Sequence, residues 1–308
     1  MKITKRLYTN QADLEKMIEL TKKRPLSHIL DFPSILDLQE MMGTAARQAN
    51  TVLWETEVDE LIGFAILDKY EQSAYLIMEI EPEQGAEFGN EMIAWGVERL
   101  RPLPPKRYEL IASVREDDTD KSTLLLQNGF VQQTWGSVSL ERPLQNPIPK
   151  PQIPVGFTIR SLAGEDEVPA WVAMHQAAFG TQNMTIDERL AMMHTPDYDP
   201  ALDLVVEAPN GELAAYCNCI ISSAENEVSG RKLGYTDPVA THPRYRRQGL
   251  ATALILHGLQ LLHARGIQTA SLGTSSRNNA MQKTAEATGF CVVRKKNFFA
   301  KEIGTENV

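Results

Sequence analysis

Gly89 and Gly249 lie 160 residues apart, and so do Gly129-Phe130 and Gly289-Phe290. Two features at one constant offset imply a duplicated domain. A solenoid would show a period of roughly 20–50 residues instead. At 308 residues the chain is long for a single core and suited to two of about 150. Between the halves, "ERPLQNPIPKPQIPVG" (141–156) holds five prolines, which make it stiff and unable to join a helix or central strand. The sequence therefore divides into a first domain over 1–142, a proline-rich linker over 143–156 and a second domain over 157–308.

The second half reads as strand "FTIRSL", helix "DEVPAWVAMHQAAF", helix "IDERLAMMH", and two β-rich runs around the turn Pro209-Asn210-Gly211. A strand "KLGYTDPVAT" follows, then an apolar helix from about Leu250 to Ala264, strand "IQTASLGT" and a short helix over "NAMQKTAEAT". A closing hairpin "FCVVRKKNFFAKEI" completes the half. The first half repeats most of this order and ends in a hairpin over "NGFVQQTWGSVSLE". The order β-α-α-β-β-β-α-β-α-β-β predicts a mixed α/β fold. Each domain is a mixed central sheet flanked by helices, not a purely parallel one.

Hydrophobic content of 43% and charged content of 23% are those of a globular chain. No apolar run approaches the roughly 20 residues of a membrane span, and no signal-peptide stretch follows the basic N-terminus; the expectation is a cytoplasmic protein without membrane contact. A net charge of −9 argues against nucleic-acid binding through a general basic face, so any anionic ligand must be held by a local basic feature. Cys217, Cys219 and Cys291 are too few for a disulfide framework. The "CNC" pair shares one strand face and reads as buried apolar cysteines, with no metal expected.

That basic feature is "HPRYRRQGLA" (His242 to Ala251), between a strand and an apolar helix. A glycine turn into a helix N-terminus aims unpaired N–H groups outward at the positive end of the helix dipole. Arg246 and Arg247 add charge, Gly249 lets the backbone come close and Ala251 keeps the first turn clear. The chemistry suited to this arrangement is pyrophosphate binding.

Here the sequence resembles the GNAT superfamily of acyl-CoA-dependent N-acyltransferases. The matching residues are Arg246-Arg247-Gln248-Gly249-Leu250-Ala251, preceded by "VATHP" and followed by Asn278 and Gly289-Phe290. The layout looks like that of the two-domain, mycothiol-synthase-like members. The resemblance implies an acetyl-CoA or other acyl-CoA co-substrate. Backbone groups of Val239, Ala240 and Thr241 would hold the acyl-pantetheine arm, and amides from Arg247 through Thr252 the pyrophosphate. Asn278 would touch the pantetheine, or serve as a helix N-cap, or both. The acceptor would be a small-molecule or peptide amine acylated by direct transfer. Two alternatives stand beside this: a catalytically silent acyl-CoA-binding module, and transfer to a thiol or hydroxyl.

The matching window of the first half, Pro82 to Glu91, carries −3 where His242 to Ala251 carries +3. Glu83, Glu87 and Glu91 would repel a pyrophosphate. The first domain therefore reads as having kept the fold and lost the cofactor, leaving packing, shaping of the acceptor cleft or homodimer contact as its role. For the base, Asp237 is best placed, two positions before Val239 and so on the same strand face, although an Asp before Pro238 can instead mark a turn. Glu225 and Glu227 are weaker candidates. The tyrosine that the family uses to protonate the thiolate is replaced by Ala285, with Tyr235, Tyr245 or water as substitutes. His175, near Trp171, Phe179 and Met184, falls where the family's acceptor site lies.

Overall fold

The computed structural model describes residues 3–81, 85–101 and 107–304. These fall into two units, 1–137 with 295–308 and 138–294. The first unit contains β1 (Ile3–Leu7), α1 (Gln11–Lys22), α2 (Ile35–Met41), α3 (Ala45–Gln48), β2 (Thr51–Thr56), β3 (Leu61–Lys69), β4 (Ser73–Ile80), α4 (Gly85–Leu100), β5 (Arg107–Arg115) and α5 (Thr119–Gln127). β6 (Val131–Pro143) starts there and ends in the second unit. The second unit continues with β7 (Thr158–Ser161), α6 (Val168–Phe179), α7 (Ile186–Met193), β8 (Asp203–Glu207), β9 (Leu213–Asn218), α8 (Ser223–Ser229), β10 (Leu233–Tyr235) and β11 (Val239–Thr241). After these come α9 (Leu250–Ala264), β12 (Thr269–Ser275) and α10 (Asn279–Ala287). β13 (Cys291–Gly304) begins in this unit and runs on as a strand of the first.

Within the first unit the strand order is β1-β2-β3-β4-β5-β13, antiparallel except for the parallel pair β4·β5. Strand periodicity builds two cores, one on each face. Trp54, Ala65 and Leu67 face α4 and α5, where they meet Met92, Ile93 and Leu124. Leu53, Phe64 and Ile66 face α1 and α2, where they meet Met17, Leu20 and Leu38.

The second unit repeats this plan with its sheet split in two, β6-β12-β10 and β11-β9-β8-β7. Leu204, Ala215 and Cys217 pack beneath α9 with Leu254, Ile255 and Leu259. Val205, Tyr216 and Ala240 pack against α6 and α7 with Trp171, Met174 and Met193.

The duplication holds to the residue where the two parallel strands meet. Ser73–Tyr75 pair with Glu109–Ile111, and Leu233–Tyr235 pair with Thr269–Ser271, every position shifted by 160. The same offset relates α5 to α10, with N-caps Asp118 and Asn278, and the left-handed glycines Gly129 (φ 76°) and Gly289 (φ 91°).

The structure corrects three sequence expectations. "KLGYTDPVAT" is two short strands, because the chain leaves β12 at Thr236-Asp237-Pro238 and re-enters beside β9 as β11. Each expected closing hairpin is one long strand. Gly136, which reads as a turn residue, instead permits close approach: a Cβ there would sit 1.9 Å from the Lys296 carbonyl oxygen. α8 was not expected at all. The units also divide differently from 1–142 and 157–308. Residues 138–143 serve the second unit, with Val138 and Leu140 in its core, and residues from 295 serve the first, with Phe299 and Ile303 in its core.

Candidate functional site

β10 and β12 run parallel only as far as Tyr235 and Ser271. Beyond that level β11 turns to pair with β9 and becomes the edge of its own sheet, while β12 continues to Ser275. The two strands therefore part, and the outward edge of β11, which includes Val239, Ala240 and Thr241, is left for something other than a strand.

The loop after β11 leads into α9. Gly249 is its N-cap at φ 79°, a left-handed conformation that suits glycine, and open space surrounds the position of a Cβ. Gly249 has no side chain with which to cap, whereas Ser34, Asp118, Thr185, Ser222 and Asn278 all cap their helices. The first hydrogen bond of the turn is Ala253 N–H to the Gly249 carbonyl (3.0 Å), so the amides of Leu250, Ala251 and Thr252 precede it and point out of the helix end. Arg247 also adopts a left-handed conformation, φ 64°, which turns the loop at Gln248 toward this end.

The three arginines divide their work. Arg244 Nη1 donates to both oxygens of Glu212 (3.0 and 2.7 Å). The Tyr245 hydroxyl donates to Glu212 (2.6 Å), and this bond, then Asn210, then Arg244, pulls the Glu212 carboxyl down to about 2. Tyr245, one of the substitute acids expected from sequence, is thus a buried strut against Phe157. Arg246 Nη2 donates to the Ala178 carbonyl (2.6 Å) and clamps the end of α6 to the loop. Arg247 is exposed and its guanidinium has no partner among the described residues, which makes it the loop arginine available to a phosphate.

Asp237 lies in the break between β10 and β11, not on a strand face shared with Val239 as the sequence reading supposed. Its Oδ2 accepts from the Gly273 amide (3.1 Å), bridging the two strands where they begin to separate. Asn278 caps α10 through the Met281 amide (3.1 Å). Tyr235, at the vertex, donates to Glu225 Oε2 (2.5 Å). His175 Nδ1 meets the Tyr216 hydroxyl (2.7 Å), and burial, then the Arg189 charge, pushes the imidazole down to about 4. Ala285 is wholly buried beside Phe290 in the α9 core.

Two features lay beyond the sequence reading. One is the buried pair of Arg189 and Asp203, with the guanidinium 4.3 Å over the Trp171 ring. The other is the burial of Glu225. Ser222-x-x-Glu225 is a helix-start signature that would have revealed α8. Cys217 and Cys219 are buried with sulfurs 3.7 Å apart, and Cys291 is exposed. Among the described residues no group of three His, Cys, Asp or Glu side chains could hold a metal ion, and no helix is long and apolar enough to cross a membrane.

In the first unit the corresponding strands, β4 and β5, also part. Past Tyr75 and Ile111, β4 pairs only with β3 and β5 only with β13. Lys121, the counterpart of Met281, sends its Nζ to the Met78 carbonyl (3.2 Å) on the β4 side of the opening. Burial lowers the pKa of this ammonium. Of the three glutamates of the window from Pro82 to Glu91, Glu83 and the side chain of Glu87 lie outside the described residues. Glu91 accepts from Trp54 Nε1 (2.8 Å).

Parting parallel strands and an uncapped helix start beside them are features of a GNAT fold. Residues 168–290 match the sequence model of the acetyltransferase (GNAT) family, and the chain has the fold of a tandem GNAT protein. It is 27% identical to a mycothiol acetyltransferase of Thermobispora bispora over 155 residues, 49% of this chain and 52% of that protein. It is 22% identical to that of Frankia casuarinae over 254 residues, 80% of this chain and 73% of that one. The chain thus spans about half the length of several of the curated relatives it matches. A tandem GNAT protein from the clavulanic acid biosynthesis pathway superposes with TM-score 0.72 at 15% identity, covering 99% of this chain and 100% of its own. A GCN5-related N-acetyltransferase from Sphaerobacter thermophilus gives 0.71 at 20% identity, covering 98% and 96%. At these identities the two structures speak for the fold.

Proposed function

We propose that the second unit binds one acyl-CoA, with acetyl-CoA the expected donor, and transfers the acyl group directly to a primary amine of a small molecule or peptide. The observation that carries this reading is the uncapped start of α9, with Gly249 and the unpartnered Arg247, beside the free edge of β11. Backbone amides and a permanent cation in one loop suit an anionic group. The pantetheine arm would then bond along Val239 to Thr241, and Asn278 keeps its side-chain N–H₂ available after capping α10. Relatives named mycothiol acetyltransferase support acetyl as the transferred group.

Transfer requires a neutral amine to attack the thioester carbonyl. The C–N bond forms, the C–S bond breaks, the amine loses a proton and the CoA thiolate departs. Direct attack suits this chain because Cys217 and Cys219 are buried and the Cys217 thiol is pushed well up by its bond with Cys219 and by burial. Asp237 serves by holding the vertex through Gly273. The first unit binds no acyl-CoA, because Lys121 bonds the Met78 carbonyl where its strands part and the charge of its loop is reversed.

Calorimetric titration of the intact chain with acetyl-CoA should give one site per chain, followed by CoA release with members of an amine panel. Two equal sites would overturn the assignment to the second unit. One site without turnover would favour an acyl-CoA-binding module, a reading that Ala285 makes specific by standing where the resemblance expects an acid.

A further inference from the structure

We propose that the first unit binds a small oxyanion, the carboxylate or phosphate group of a metabolite, between the ammonium groups of Lys121 and Lys296. The site is separate from the loop before α9 and does not rest on the acyl-transfer reading. All of its residues belong to the first unit.

The connection from α1 to α2 is tied to the ends of both parting strands. Arg24 makes two bonds to Glu79 near the end of β4 (2.8 and 2.5 Å), and it donates to the carbonyls of Asp31 and Pro33 (2.7 and 2.9 Å). Arg115, the last residue of β5, donates to the Ser27 carbonyl (3.2 Å) and to Asp31 Oδ2 (2.9 Å). Lys296 stands directly opposite Arg115 in the β5·β13 ladder, and opposite residues of an antiparallel pair share a face of the sheet. Its ammonium accordingly lies 5.4 Å from the centre of the Phe32 ring, in the same connection. Lys121 comes from the first turn of α5 and donates to the Met78 carbonyl on β4 (3.2 Å). The two ammonium groups feel each other, since the Lys121 charge lowers the pKa of Lys296, and Arg24 and Asp31 act on both.

What sets these lysines apart from the arginines around them is the want of an acid. Arg24 pairs with Glu79, and Arg115 with Asp31 and Asp117. Neither lysine makes an ion pair among the described residues. Each ammonium has three donors, and among the described residues only the Lys121 bond to Met78 uses one of them. Asp31 and Asp37 draw the pKa of Lys296 upward from a distance, but Asp31 is bonded to Arg115 and Asp37 to the Ser34 amide at the start of α2 (2.8 Å). Burial outweighs them and lowers Lys296 to about 8; it lowers Lys121 as well.

Two like charges held together, partly desolvated and short of acceptors, are unfavourable on their own and favourable around an anion. An oxyanion between them would accept an N–H from each and offset their repulsion. Both side chains are half-buried, so a solute can reach them. The duplication shows that the fold does not need this cation: the counterpart of Lys121 is Met281, which packs against the α9 core.

The test is labelling of the intact chain with a limiting dose of acetic anhydride, read lysine by lysine by peptide mass spectrometry. The probes are inorganic phosphate and acetate, each against chloride at equal ionic strength. The reagent takes only the neutral amine. A bound anion raises the pKa, so labelling of Lys296 at pH 7 should slow by about tenfold, the equivalent of one pKa unit, while exposed Lys5 is unchanged. Slowing by phosphate alone supports a phosphate ligand, and slowing by acetate alone supports a carboxylate. In Lys121→Met the slowing at Lys296 should fall below about twofold, because one of the two cations is gone. Arg247→Glu should be protected as wild type is. Three results would overturn the site: slowing no greater than chloride gives with either anion, full protection of Lys296 in Lys121→Met, or protection lost in Arg247→Glu. Should Lys121→Met fail to fold, labelling of Lys121 in Lys296→Gln decides by the same criteria.

Discussion

Reversing the charge of Arg247 tests the proposed coenzyme site most directly, since Arg244 and Arg246 are committed to Glu212 and to the Ala178 carbonyl. At a charge separation of about 4 Å, one unit pair is worth about 1 kcal/mol in water and about 4 kcal/mol at the effective dielectric of a partly shielded surface. Arg247 is exposed, so the lower figure sets the floor. Arg247→Glu removes one attraction and adds one repulsion, at least about 2 kcal/mol together, or roughly a 30-fold rise in Kd. Arg247→Gly keeps the left-handed backbone and removes only the charge, so it should lose about half as much in free energy. Arg244→Ala should stay within about threefold, its charge being already neutralised. Calorimetry on the intact chain at low and high salt is the assay. The deficit of Arg247→Glu should shrink as salt rises while its melting temperature stays near that of wild type. Affinity within about threefold of wild type in Arg247→Glu would mean that the pyrophosphate does not lie at the start of α9.

Asp237→Asn keeps an acceptor for the Gly273 amide, so kcat should change less than about tenfold, whereas Asp237→Ala should cost about 1–3 kcal/mol in denaturant unfolding. Gly258→Ala should cost about 1–3 kcal/mol by the same measurement, because the new Cβ would meet Cys219 Sγ at 2.5 Å. The folded chain holds the His175 imidazole at about 4 against an ordinary 6.5, so the unfolded chain binds the extra proton first and stability falls as pH drops from about 6.5 through about 4. His175→Gln should flatten that part of the curve.

The loop that leads into α9 was legible because its signals are local. A glycine that needs positive φ, a run of arginines and an apolar helical period occupy one short window. The constant offset of 160 was equally legible, and it reaches as far as the register of the parallel strands. What the sequence hid depends on partners far along the chain. Nothing within "RKLGYTDPVAT" says that its two ends pair with different sheets, although Pro238 marks where they part. The carboxylate that meets Tyr235 comes from a seven-residue helix too short to show a period. Gly136 signals a turn by composition and provides close approach in fact.

The division of β6 and β13 between the units has a consequence for biosynthesis. The second unit is one continuous stretch, residues 138–294, and can be completed once Arg294 has emerged. The first unit begins to appear earlier, yet it lacks the strand that pairs along Arg107–Arg115 until residues beyond 295 follow. The unit made first is therefore finished last, and through most of translation β5 carries an unpaired edge of the kind that invites association with other chains. A stop codon near residue 290 should leave the second unit's loop before α9 in place and damage the first unit, which then lacks residues 295 onward.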